Sequence, residues 1–404
     1  MRKLASVVKI DQLYPIEGAD RIVRATMVGK GWNVVVANGE FKTGDLAVYM
    51  EIDSYLPADD ARYEFLRDRC LRKFVSKSGT VLREGLKIKT IKLKGVVSQG
   101  LLIPLDKFPE ITGTIGDNPD GKTVFKNVVR KTTKDENDND VFTDVQVEEE
   151  LLGADVSYLL KVEHYDEVKE MMTPQTGAGP ISADMMGKFP SDYMPKTDEE
   201  RIQNLADWIT KYADRKWELT SKDDGSSCTM FYSPTVDETN PFGVCSRNNR
   251  LKPVTDKGVV PMMWLLAKKY LVEEKLKELY EKEGLELAFQ GEALAPGLQG
   301  NRDKYTEPEW HVFRIWNIKE QKFLQPAERR ALCKRLNIPH VQVIAEEMPV
   351  FQVHTSVEAI LKFAEGKTAR GNEREGIVFK SSDGLEPVLS FKAVSNRYLL
   401  HQED

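Results

Sequence analysis

Over the first hundred residues apolar and polar side chains alternate with a period of two, the pattern of strands that bury one face. Short strands are expected at Ile22–Val28, Trp32–Ala37, Leu46–Ile52, Lys89–Leu93 and Gly100–Ile103, with a turn at Asn38-Gly39. That is the content of a small β-barrel. Between Pro109 and Glu150 the alternation lapses into Gly, Asn, Asp and Thr, and Thr133–Asp140 is a polar run with little to bury. This stretch is expected to be an insert or mobile loop. Order returns over Glu148–Leu160, and Pro174–Pro180 reads as a Gly/Pro hinge. Pro261–Glu283 has the period of one long helix, with proline at its start, Gly284 after its end, and a stripe of Trp264, Leu265, Tyr270, Leu271, Leu276 and Leu279. The remaining strands alternate with few helices, which predicts an α+β fold, and no internal repeat is present.

Composition narrows the classes. The chain has 404 residues, 41% hydrophobic and 30% charged, enough for two to three domains with substantial cores. A net charge of −6 argues against coating by polyanions, so any nucleic-acid contact is expected to be a local basic patch. Lys87, Lys89, Lys92 and Lys94 interleave with Ile88, Ile91 and Leu93. They suit either a backbone-binding face or a solvated edge strand protected by lysines. Cys70, Cys228, Cys245 and Cys333 show no Cys-x-x-Cys spacing, which predicts small core residues in a reducing compartment and no zinc site. With no apolar run near the roughly 20 residues of a membrane helix, the protein is expected to be intracellular, without a membrane partner.

The chemistry begins at Lys222-Asp223-Asp224-Gly225. On a strand, Lys222 and Asp224 would share one face and Asp223 the other, so Asp223 needs a partner or solvent. Gly225 would permit a tight turn and the close approach of a ligand. Four letters alone fit an ordinary strand-to-turn junction, but others follow in order. They are Ser246-Arg247-Asn248, Phe289-Gln290-Gly291-Glu292, Val312-Phe313-Arg314-Ile315-Trp316, Glu375-Gly376-Ile377-Val378-Phe379-Lys380 and Ser390-Phe391-Lys392-Ala393. The series resembles the six collinear motifs of the covalent nucleotidyltransferases, which comprise ATP-dependent DNA and RNA ligases and capping enzymes. The segments 195–204 and 290–300 look like those of RNA ligases that carry an N-terminal OB module.

The resemblance implies a nucleotidyltransferase fold of antiparallel sheets flanked by helices, preceded by an OB barrel. Residues 1–110 would be the OB module, 111–161 an insert or linker and 162–404 the adenylyltransferase domain. It implies an ATP-dependent RNA ligase joining 3′-OH and 5′-phosphate RNA ends, as in RNA repair, through a lysyl-AMP on Lys222 and an AMP-capped 5′ end. Its partner would be RNA, sealed as a nicked duplex with RNA on the 3′-OH side, by a monomer. ATP is the expected co-substrate and Mg2+ or Mn2+ the expected metal, held by Asp224, Glu292, Glu375 and Asn248. Lys222, Lys380 and Lys392 are the expected catalytic lysines, the last two at the α-phosphate. Arg247, Asn248, Glu292, Phe313, Lys196, Arg201 and Gln203 would complete the nucleotide site, with Phe313 stacked on adenine. A lysine amine ordinarily titrates near 10.4, so Lys222 is expected to be depressed before it attacks. Alternatives are a DNA ligase, a GTP-dependent capping guanylyltransferase and a non-catalytic RNA-binding protein on the same fold. Two positions depart from the family pattern: Asp223 stands where an apolar residue is usual, and Ser390-Phe391-Lys392 supplies one lysine where Lys-x-Lys is usual.

Overall fold

Alternation becomes strand over most of the first unit of the chain. A computed structural model describes residues 3–76, 78–135, 140–172, 185–196, 198–298 and 300–401; the expected hinge at 174–180 lies outside them. The chain divides into two compact units, Met1–Pro174 and Gln175–Asp404. Among the described residues no helix is long and apolar enough to cross a membrane.

In the first unit, a five-stranded antiparallel sheet runs in the order Leu101–Pro104, Leu46–Met50, Ala5–Ile16, Ala19–Met27, Lys30–Ala37. The Val35 N–H at one edge donates to Ser98 Oγ at 2.9 Å, three residues before the strand at the other edge, so the sheet curls on itself. A four-stranded sheet, ordered Glu163–His164, Ser54–Pro57, Val81–Lys87, Leu71–Val75, completes the unit's core around Val48, Leu56, Tyr63, Leu86 and Phe108. Ile88 and Thr90 are buried while Lys92 and Lys94 are exposed, but Ile91 is exposed too, on the hairpin of Thr90–Leu93 with Val96–Gln99.

The expected insert belongs to this core. Thr123–Lys134 and Asp140–Glu150 form a long antiparallel hairpin, in register from Val124 opposite Glu150 to Lys134 opposite Asp140. Val124 and Phe125 at its base are buried, and Leu151, Val156, Leu160 and Val162 join Phe125 in the same cluster. Buried Asn127 donates to Glu149 Oε1 and to the Asp155 carbonyl, each at 2.8 Å. Most described positions of the outer half are exposed on both faces, so its composition reads as loop although its backbone is strand.

The second unit is built on two antiparallel sheets. The larger runs Met185–Lys188, Asn249–Leu251, Phe242–Cys245, Ser226–Tyr232, Leu287–Leu294, Glu309–Asn317, Lys322–Phe323. The smaller runs Val343–Met348, Trp217–Lys222, Gly376–Ser381, Ser390–Val394. On the back of the smaller sheet Phe379 and Phe391 stack with centroids 4.4 Å apart at 6°. Phe351 stacks on Phe391 in turn, and Trp217 packs edge-on against both Phe351 and Phe391. Cys228, Cys245 and Cys333 are buried in this unit, as Cys70 is in the first. The single helix expected over Pro261–Glu283 is two, Met262–Lys269 and Val272–Glu283, because Leu271 takes a left-handed φ of 52°. Trp264, Leu276 and Leu279 are buried as expected; Leu271 is exposed at the break, and Leu265 is exposed on the first helix, where Leu266 is buried in its place.

Candidate active site

Lys222 ends its strand in the smaller sheet, and Ser226 begins the next strand in the larger one. Asp223-Asp224-Gly225 therefore carries the chain from sheet to sheet. A Cβ on Gly225 would lie 2.3 Å from the Ala293 carbonyl oxygen. The glycine serves this close approach of backbones and has no left-handed φ, in place of the tight turn expected for it. Gly291 and Gly376 play the same part. Their Cβ atoms would sit 2.5 Å from Trp310 Nε1 and 2.3 Å from the Ala393 carbonyl.

Register fixes where the lysines stand. Lys222 is opposite Gly376, Val378 lies between Thr220 and Lys392, and Lys380 lies between Glu218 and Ser390. Alternate residues share a face, so Lys222, Lys392 and Lys380 rise from successive rows of one face, with rows about 6.6 Å apart. Lys392 is in the row next to Lys222; Lys380 is two rows away, so the two expected phosphate lysines are not side by side.

Around Lys222 the charge is negative. Its Nζ lies 2.7 Å from Glu375 Oε1. Burial pulls the amine's pKa down, but Glu375, Glu292 and Asp224 outweigh it and hold the pKa above the usual lysine range, the reverse of the expected depression. Burial pushes Glu292 up to about 8 against the pull of Lys222, with Glu375 and Asp223 adding to the rise. The Gly225 N–H donates to Glu292 Oε1 at 3.1 Å. Burial also raises Glu375, whose Oε2 is buried with no partner. Asp224 Oδ2 accepts the Tyr398 hydroxyl at 2.5 Å. Among the described residues no three His, Cys, Asp or Glu side chains converge to hold a metal directly. A cation here would meet these acids through its water shell.

A second cluster lies along the lysine rows. Lys392 Nζ is 2.6 Å from Asp198 Oδ1, and Arg247 reaches the same carboxylate at 3.6 Å. Burial lowers the Lys392 pKa; Arg201 and Lys222 lower it too, and Asp198 opposes them. Lys196 Nζ donates to Asn248 Oδ1 at 2.7 Å. Arg201 and Gln203 are buried, and both side-chain polar atoms of Gln203 lack partners. Burial pushes Lys380 down to about 7, with Glu199 opposing and Arg314 and Arg329 adding to the fall. Its Nζ has no hydrogen-bond partner and sits 6.0 Å from the centroid of the half-buried Phe313 ring. Ser390, where a second lysine is usual, faces Lys380 and accepts a 2.6 Å hydrogen bond from Arg314, whose Nη1 lies 3.5 Å from Glu199.

Tyr398 and His311 escaped the sequence reading. His311 had a signal there, in the partner that Asp223 required: His311 Nδ1 lies 2.7 Å from Asp223 Oδ2. Glu199 and Arg314 lay inside family-like segments but drew no role.

The OB-fold domain model matches residues 4–105, and the RNA ligase model matches residues 215–394. No curated protein matches the chain. A single-substitution mutant of the Naegleria gruberi RNA ligase, solved with ATP and Mn, is similar at 30% identity over 100% of both chains, TM-score 0.75. The same enzyme solved with PPi is similar at 31% identity over 99% of this chain and 98% of that one, TM-score 0.73. A curled N-terminal sheet, six motifs gathered at the junction of two further sheets and this full-length likeness place the chain in the family of ATP-dependent RNA ligases with an N-terminal OB domain.

Proposed function

We propose that this protein seals RNA by joining a 3′-OH to a 5′-phosphate through a lysyl-AMP on Lys222, and that it acts in RNA repair on nicked duplexes with RNA on the 3′-OH side. The observation that carries the reading is Lys222, half-buried at the sheet junction and hydrogen-bonded to Glu375, with Glu292 and Asp224 near it.

Lys222 Nζ passes a proton to Glu375, 2.7 Å away, and attacks the α-phosphorus of ATP; a P–N bond forms and the P–O bond to pyrophosphate breaks. AMP then passes to the RNA 5′-phosphate, and the 3′-OH displaces it. Lys392, in the neighbouring row, would neutralise charge on the α-phosphate. Phe313 would stack on the adenine, which puts Lys380 toward the base end of the nucleotide. Arg247, Lys196, Arg201 and Gln203 line the remaining nucleotide contacts. Three carboxyl groups gathered at one amine make an oxygen-rich set that suits Mg2+ or Mn2+, and Asp224, Glu292 and Glu375, with Asn248, would hold the ion through water. When bound, that ion supplies positive charge that polarises the phosphate and competes with Lys222 for the carboxylates. The Naegleria gruberi enzyme has been solved with ATP and Mn, with AMP and Mn, and with PPi, which supports the same co-substrate and metal here.

The test is incubation with α-labelled ATP and Mg2+, denaturing electrophoresis, and sealing of nicks that differ only in the 3′-OH sugar. Covalent label on the wild type, none on Lys222→Ala, and faster sealing of ribose ends are expected. Label retained by Lys222→Ala overturns the site. Preferential label from GTP points to capping, and equal rates for ribose and deoxyribose point to a DNA ligase.

A further inference from the structure

Asp224 belongs to the three-residue crossing between sheets, so no strand ladder fixes its carboxylate, and a carboxylate's terminal torsion is broad. What holds it is the C-terminal helix Asn396–His401, through the Tyr398 hydroxyl on Oδ2. Tyr398 is itself firmly seated. Its ring is 2% exposed, its N–H donates to Ser395 Oγ at 3.2 Å, and the Arg302 guanidinium lies 4.6 Å from its centroid. The same segment reaches a second motif acid, because the Ser395 N–H donates to the Glu375 carbonyl at 2.8 Å. Five residues, Ser395 to Leu399, thus tie Asp224 and Glu375 to one rigid turn. A tyrosine needing only a buried place would be satisfied by its ring contacts; this one spends its single donor on the aspartate beside the nucleophile.

We infer that Tyr398 is a positioning residue: by engaging Asp224 Oδ2 it fixes the carboxylate and leaves Oδ1 for the water shell of the divalent cation. The inference rests on the ligase chemistry proposed above. An outer partner of this kind orients an acid that touches the ion's waters, and its removal is expected to weaken metal affinity about tenfold.

The experiment compares the wild type with Tyr398→Phe, which removes one oxygen and keeps the ring. Mn2+ binding is read by electron paramagnetic resonance in the presence of a non-hydrolysable ATP analogue, and Mg2+ is titrated against lysyl-AMP formation. Tyr398→Phe is expected to bind Mn2+ about tenfold more weakly and to need correspondingly more Mg2+, with the KM for ATP within about twofold of wild type. 3-Fluorotyrosine at 398, which keeps the donor, is expected to retain wild-type affinity. Adding Tyr398→Phe to Asp224→Asn is expected to cost nothing further, because the partner is already changed. Unaltered Mn2+ affinity in Tyr398→Phe, or losses that multiply in the double variant, overturns the inference and leaves the ligase reading standing. A wild type that neither binds Mn2+ nor forms lysyl-AMP overturns both.

Discussion

Asp223 and His311 form a 2.7 Å pair that fastens the sheet-to-sheet crossing to the strand Glu309–Asn317. Asp223 would otherwise be a nearly buried charge, costly without a counterpart. His311 supplies the counterpart, and its other ring nitrogen lies 3.1 Å from Glu309, whose second oxygen meets Arg370 at 2.7 Å.

This pair makes stability depend on pH in a defined direction. Burial lowers the His311 pKa, but Asp223 and Glu309 together raise it above the usual 6.5. A raised folded value means that the stabilisation is complete below about pH 6.5 and is lost as pH climbs through the folded value. Thermal melts of the wild type and His311→Gln should differ most near pH 6 and converge toward pH 9. A gap that widens with pH would contradict the pairing.

Glu218 is fully buried and holds two arginines, Arg329 at 2.9 Å and Arg330 at closer contact. Removing one partner of a buried ion pair costs about 3–5 kcal/mol, because the other charges stay behind unpaired. Glu218→Ala should therefore lower Tm by about 10 °C, at 2–4 °C per kcal/mol for a unit of this size. A loss under about 2 °C would show that water reaches the arginines.

Lys380 behaves oppositely. Burial holds its amine down to about 7, so between that value and 10.4 the unfolded chain binds a proton that the folded one lacks, and stability rises with pH across this window. Lys380→Met removes that cost. In the absence of nucleotide it should melt at or above the wild type at pH 7, with its advantage shrinking toward pH 10. Weaker ATP binding by the same variant would separate the lysine's role from its cost in stability.

Gly376→Ala would press a methyl against the Ala393 carbonyl, and backbone atoms do not yield as side chains do. Since Gly376 pairs with Lys222, a shift of about 1 Å should slow lysyl-AMP formation about a hundredfold. Gly187→Ala, with open space at its Cβ, is the control and should label normally. Equal labelling by both would show that the strand adjusts without moving Lys222.

Much of this was legible in sequence, and the failures have physical causes. The order of the motifs identified the residues around the junction, because each motif is a strand end or a glycine contact that tolerates few alternatives. Residue type could not report how far Lys380 stands from Lys222, which depends on the register of two strands. Nor could it report the state of the Lys222 amine: three acids from separate elements raise it, and only the fold brings them together. Tyr398 carries no motif, since its value lies in reaching Asp224 across more than 170 positions of sequence. The hairpin over Thr123–Glu150 was hidden because an exposed strand needs no apolar face. The break at Leu271 was hidden because a left-handed leucine leaves the apolar count of the helix unchanged.

The stack of Phe379 on Phe391 lies behind the sheet whose front carries Lys380 and Lys392. Side chains alternate strictly, so a slip of either strand by one residue would send its ring forward and its lysine into the aromatic core. The rings therefore act as an index pin, setting the spacing of charges that they never touch. Sequence change at either ring should alter alignment of the nucleotide before it alters the chemistry of any group that meets it, and a variant with softened rings would bind ATP yet transfer AMP poorly.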